Sequence, residues 1–117
     1  MVEGAGAPNG GLILDIVHIV NIGIPYEAIA KIPRRFLVNV ELNDGSLPGR
    51  PNHDPGARLF CGEGSFDIQG FVRAVRQTGY NGTWAAEVYN REFVGLPLDE
   101  LNRRAFETTA TALASAR

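Results

Sequence analysis

Three short, mostly apolar runs, each with an acid near its C-terminal end, constrain this chain more than any other feature. Gly11-Leu12-Ile13-Leu14-Asp15 is the first, Phe36-Leu37-Val38-Asn39-Val40-Glu41-Leu42 the second, and Thr83-Trp84-Ala85-Ala86-Glu87-Val88-Tyr89 the third. A continuous apolar run of this length suits a strand covered on both faces. Each run is followed by a segment that can be helical. Strands alternating with helices imply parallel pairing through right-handed crossovers, with chemistry at the carboxyl ends of the strands. The expected class is therefore α/β with order β-α-β-α-β-α, helices on the outer face of the sheet and an apolar inner face.

The 117 residues allow one domain, spanning 1–117. At 44% hydrophobic and 21% charged residues the chain has ordinary globular composition. A net charge of -2 and the lack of a Lys/Arg stripe argue against nucleic acid as a partner. No apolar run approaches a membrane span, and the N-terminus lacks a signal-peptide pattern, so the expected location is cytoplasmic. The single cysteine, Cys61, fits a reducing compartment and reads as a half-buried loop thiol rather than a nucleophile.

Local signals place the remaining elements. Ile16 to Val20 either extends the first strand or makes a short helical turn. Pro25 opens a helix from about Tyr26 to Ile32, because Pro33 forbids its continuation. The second strand runs Phe36 to Leu42 and the third Thr83 to Tyr89. Between them lies a long loop, Ser46 to Gly64, carrying Arg50, His53, Asp54, Arg58 and Gly62-Glu63-Gly64. Loops beyond about 12–15 residues in a small domain are usually functional. A helix capped by Asp67 or Ser65 presents Ile68, Phe71, Val72 and Val75 and stops at Gly79. The last helix opens at Pro97, with Leu98, Leu101, Ala105, Phe106, Thr109, Ala112 and Leu113 along one side. No glycine-rich dinucleotide or phosphate loop follows any strand.

Four motifs, in order, resemble those of the sugar phosphate isomerase/epimerase family, whose fold is the xylose isomerase-like TIM barrel. They are Leu14-Asp15-x-x-His18; Val40-Glu41-Leu42-Asn43-Asp44; Arg58-x-x-Cys61-Gly62-Glu63-Gly64-x-Phe66-Asp67; and Gly79-Tyr80-x-Gly82-x-Trp84-x-x-Glu87-Val88. The resemblance covers the last three β/α units of a partial (β/α)8 barrel. A whole barrel takes about 250 residues, so the expectation is a truncated or fragmentary member.

What the resemblance implies is a divalent metal held by Asp15, Glu41 and Glu87. Glu41 stands where many members carry histidine, and a carboxylate there favours Mn²⁺ or Mg²⁺. Glu87 would also move the substrate proton. His18 is implied as a catalytic and substrate-contacting side chain, and Arg58 as substrate-binding. The family's remaining glutamate ligand has no counterpart here. The implied reaction is isomerisation or epimerisation of a sugar by proton removal next to a carbonyl. The alternatives are a dehydratase of the same fold acting on a carbocyclic acid, dehydroshikimate dehydratase-like, or a non-catalytic, self-associating remnant. Without the opposing glutamate, the isolated chain is expected to show no turnover.

Each residue also has a plain structural reading. Asp15 can cap the following turn, and His18 can be a packed core histidine. Glu41 and Asp44 can be turn formers, Asp44 before Gly45 especially. Glu63 can be loop structure or a partner that holds Arg58. Glu87 interrupts a strand expected to be buried, where a carboxylate needs a cation or strong hydrogen bonds.

Overall fold

Three parallel strands form the sheet: β1 (Leu12–Asp15), β2 (Leu37–Leu42) and β3 (Thr83–Ala86), in spatial order β1-β2-β3. The computed structural model describes residues 2–50, 53–54 and 56–117. Among the described residues, four α-helices accompany the sheet: α1 (Ile16–Asn21), α2 (Tyr26–Ile29), α3 (Ile68–Gln77) and α4 (Leu98–Ser115). Among the described residues the sheet does not close, and β1 and β3 each keep one unpaired edge.

The open reading of Ile16 to Val20 resolves as helix. Asp15 leaves β1 in an extended conformation and accepts a bond from Val17 N at 3.1 Å, which starts α1 one residue beyond the strand. Helix α2 is shorter than expected and ends at Ile29 rather than Ile32. The strand boundaries also differ from expectation. Phe36 belongs to a 3₁₀ turn, Arg34–Phe36, so β2 begins at Leu37. β3 ends at Ala86, although Glu87 N adds one more bond, to Leu42 O at 3.1 Å.

Register explains which side chains meet. Leu12 pairs with Leu37, but Ile13 pairs with Asn39, so Val38 is the extra residue of a bulge. Gly11 makes this possible, because a Cβ there would collide with the Val38 side chain. The bulge puts Leu37, Val40 and Leu42 on the helix-covered face with Leu14. Those residues pack with Ile16 and Val17 of α1, Ile29 of α2, and Phe71, Val72 and Val75 of α3. Each such side chain, fully buried, contributes about 1.5–3 kcal/mol.

The other face departs from the expected apolar lining. It carries Ile13, Asn39, Glu41, Thr83 and Ala85, and among the described residues no helix covers it; Ile13 there is exposed. The expectation of strands buried on both faces holds only for the helix side. The last helix differs too. Thr109 is buried and Leu101, Ala105, Ala112 and Leu113 are partly so, but Leu98 and Phe106 point to solvent. Arg76 of α3 secures the far end of α4 by donating to the carbonyls of Leu113, at 3.0 Å, and Ala116.

The long loop is pinned by Asp44. Its backbone makes a two-bond antiparallel bridge with Leu59, both bonds at 2.9 Å. Its buried carboxylate accepts from the N–H groups of Gly45 (2.8 Å), Gly62 (2.9 Å) and Phe66 (3.0 Å). Gly64 passes so close that a Cβ would stand 2.6 Å from Gly45 N. Asp67, not Ser65, caps α3, accepting from Gly70 N at 2.8 Å.

Candidate metal centre

The register sets Asp15 directly opposite Glu41, and Glu41 opposite Ala85. Side chains alternate along a strand, so Glu87, two residues past Ala85, returns to the same side as the other two acids. Each of Asp15, Glu41 and Glu87 offers a carboxylate oxygen, and these oxygens lie within 4.8 Å of one another. They differ in burial: Asp15 is buried, Glu41 intermediate and Glu87 exposed. The buried acid expected at Glu87 is therefore corrected, because β3 has ended and the side chain stands at the open rim, 48% exposed.

Asp15 has two differently committed oxygens. Oδ1 accepts from Val17 N at 3.1 Å and from Asn43 Nδ2 at 2.8 Å. Oδ2 faces the cluster, 3.1 Å from the Arg58 guanidinium and 3.5 Å from His18 Nε2. Capping and cluster membership thus coexist in one side chain. Asn43 is fully buried, and sequence reasoning assigned it no role. Its position two residues after Glu41, on the same side of the chain, was the available signal. Glu41 in turn accepts from Asn39 Nδ2 at 3.2 Å.

Arg58 enters from the loop. Its backbone N–H donates to Tyr89 O at 2.8 Å, beside the end of β3. From there its guanidinium bridges Asp15 Oδ2 (3.1 Å) and Glu87 Oε2 (3.2 Å), with His18 Nε2 at 3.4 Å. His18 is largely exposed, so the packed-core reading of that histidine does not hold. The other loop groups go elsewhere. Glu63 pairs with Arg104 at 2.8 Å rather than holding Arg58, and His53 Nδ1 lies 2.8 Å from Ser46 O. Asp44 is the loop anchor already described. Cys61 is buried, and burial pushes its thiol up to about 11, which removes it as a nucleophile at neutral pH.

The charge balance shows in Glu87, whose carboxyl is raised above its ordinary value. Desolvation is the main cause, followed by its hydrogen bond with Asp15; Arg58 acts in the opposite direction, and the charges of Asp15 and Glu41 add to the rise. Exposure of the side chain to solvent screens these effects. Oxygens about 2.0–2.2 Å from a small divalent ion stand at most ~4.4 Å apart, and the three here lie within 4.8 Å of one another, so a small side-chain adjustment brings them onto one ion. The donor set of three carboxylates on one side of the sheet fits a divalent cation.

The profile of the xylose isomerase-like TIM barrel family matches residues 1–113. The chain belongs to this family. Among curated relatives, the 3-dehydroshikimate dehydratase of Pseudomonas aeruginosa is 32% identical over 83% of this chain and 16% of its own length. The inosose isomerase of Bacillus velezensis is 23% identical over 93% of this chain and 39% of its own. The chain thus spans well under half of each. Among solved structures, the IolI protein with a bound zinc atom superposes with a TM-score of 0.86 at 19% identity, over 99% of this chain and 42% of that one. A xylose isomerase domain protein from Alicyclobacillus acidocaldarius gives 0.77 at 32% identity, over 97% and 40%. The three-stranded sheet and its helices therefore match part of the family's barrel. No helix of the described residues is long and apolar enough to cross a membrane.

Proposed function

We propose that the Asp15–Glu41–Glu87 cluster binds a divalent cation and forms part of a site that moves a proton next to a carbonyl in a small polyhydroxylated substrate. The observation that carries this reading is the convergence of three carboxylates from three successive strand ends. Carboxylate-only ligation favours Mn²⁺ or Mg²⁺. A bound divalent ion supplies polarisation of the substrate carbonyl.

The chain's own residues have separable roles in this proposal. Glu87 is the proton-transfer group: its raised carboxyl brings it closer to neutral pH, and its position at the rim gives access to substrate. His18, exposed beside Asp15, donates to or accepts from substrate oxygens. Arg58, whose guanidinium reaches the rim beside Asp15 and Glu87, supplies donors to a bound substrate. A two-sided transfer needs a second acid–base group facing Glu87, and the family's opposing glutamate has no counterpart in these 117 residues. We therefore expect metal binding without turnover from this chain alone.

The substrate has two readings. Sugar or inosose isomerisation follows from the isomerase relatives, and dehydration of a carbocyclic acid from the dehydratase at 32% identity. Titration calorimetry with Mn²⁺ tests the site: saturable binding in the wild type that disappears in Glu87→Gln supports it, and its absence in both the wild type and Arg58→Ala overturns it. Repeating the titration with a ketose, an inosose and dehydroshikimate separates the two substrate readings by which of them tightens the Mn²⁺ isotherm.

A further inference from the structure

We propose that the Arg58 guanidinium is the resident cation of the acid cluster, and that a divalent ion enters only by displacing it. This rests on the metal-site reading above and adds a competition to it. One guanidinium nitrogen lies 3.1 Å from Asp15 Oδ2 and 3.2 Å from Glu87 Oε2, which places positive charge between two of the three oxygens a metal would need. Like charges so close repel strongly in a partly desolvated site, so the guanidinium and the ion do not share that position.

The arrangement holds Arg58 in place without satisfying it fully. Its side chain is only 15% exposed, yet among the described residues its buried Nε has no hydrogen-bond partner. An arginine held for structure alone would ordinarily have that donor paired. The backbone fixes where the side chain starts: Arg58 N bonds Tyr89 O, and the next residue, Leu59, is bridged to Asp44. With the backbone fixed in this way, displacement would involve the side chain alone, and its guanidinium lies 3.4 Å from the exposed His18 Nε2. In the absence of metal, the same guanidinium relieves the repulsion among carboxylates that would otherwise drive them apart.

The test is Mn²⁺ binding, by water-proton relaxation, to the wild type, Arg58→Ala, Arg58→Lys and Glu87→Gln. Displacement predicts that Arg58→Ala binds Mn²⁺ at least tenfold more tightly than the wild type, with Arg58→Lys between them. A second measurement follows the guanidinium N–H resonances of the wild type during titration with Mg²⁺. They should shift and average with the same midpoint as ion binding. If Arg58→Ala binds Mn²⁺ equally or more weakly while the wild type binds and Glu87→Gln does not, the metal site stands and the displacement is wrong. Guanidinium resonances that stay fixed through saturation by Mg²⁺ overturn it as well. If neither the wild type nor Arg58→Ala binds Mn²⁺, the metal reading fails and this proposal with it.

Discussion

Asn43 Nδ2 donates to Asp15 Oδ1 at 2.8 Å, and this bond, made from a wholly buried amide, decides which oxygen of Asp15 faces the cluster. With Oδ1 held by Asn43 and by Val17 N, only Oδ2 is free to meet a cation. Partners of this kind fix ligand orientation in metal sites.

Replacing Asn43 by Ala should therefore act on the site as well as the fold. Loss of one buried bond to a charged group should cost about 1–3 kcal/mol in denaturant unfolding. Mn²⁺ affinity, measured by calorimetry on the folded variant, should fall roughly 10–100-fold. An unchanged affinity would show that Asp15 keeps its orientation without Asn43.

Asp44 and Glu87 should respond in opposite ways to loss of charge. Asp44→Asn weakens three backbone bonds that close the loop and should cost about 2–3 kcal/mol of stability, with little change in Mn²⁺ affinity. Glu87→Gln should abolish Mn²⁺ binding with little loss of stability, since its side chain stands at the rim. Parallel unfolding curves and titrations of the two variants check this, and equal effects on metal binding would remove Glu87 from the ligand set.

The raised carboxyl of Glu87 sets a pH dependence. A carboxyl whose folded-state pKa lies above its ordinary 4.5 favours the fold in its protonated form. That contribution is complete below the ordinary value and is lost as pH rises through the raised one. The metal-free wild type should therefore lose stability relative to Glu87→Gln as pH climbs from 4.5 toward neutrality. Mn²⁺ affinity should run the other way, increasing as the proton leaves. Unfolding and titration series over this window give both signs.

Cys61 should be nearly inert. A thiol pushed from 9.0 to about 11 has roughly a hundredfold less thiolate at a given lower pH. Alkylation of the native chain near neutral pH should be slower than that of the unfolded chain by at least this factor. Comparable rates would mean that the loop around Cys61 opens freely.

The sequence by itself determined the element order, the parallel pairing and the three acids that meet. Mostly apolar runs with Asp15, Glu41 and Glu87 near their C-terminal ends carry that information locally, and the period-2 alternation of strands is enough to put acids from neighbouring strands on one side. It also marked Arg58 and the long loop, through a length and composition that no turn requires. Tertiary structure alone decided the rest. The bulge at Val38 shifts the register of β2, and it depends on contact with Gly11 from another element. The end of β3 at Ala86, which leaves Glu87 exposed, depends on where the loop takes over the bonding of the chain at Tyr89. Asp44 reads as a turn former beside Gly45, yet its carboxylate bonds to residues 62 and 66, which only folding brings near. Asn43 is likewise silent in sequence, because an amide acquires its role from the one acid it touches across the sheet. Local periodicity is written in consecutive residues, whereas the partner of a buried polar group is fixed only when distant segments pack, and that is where this site was assembled.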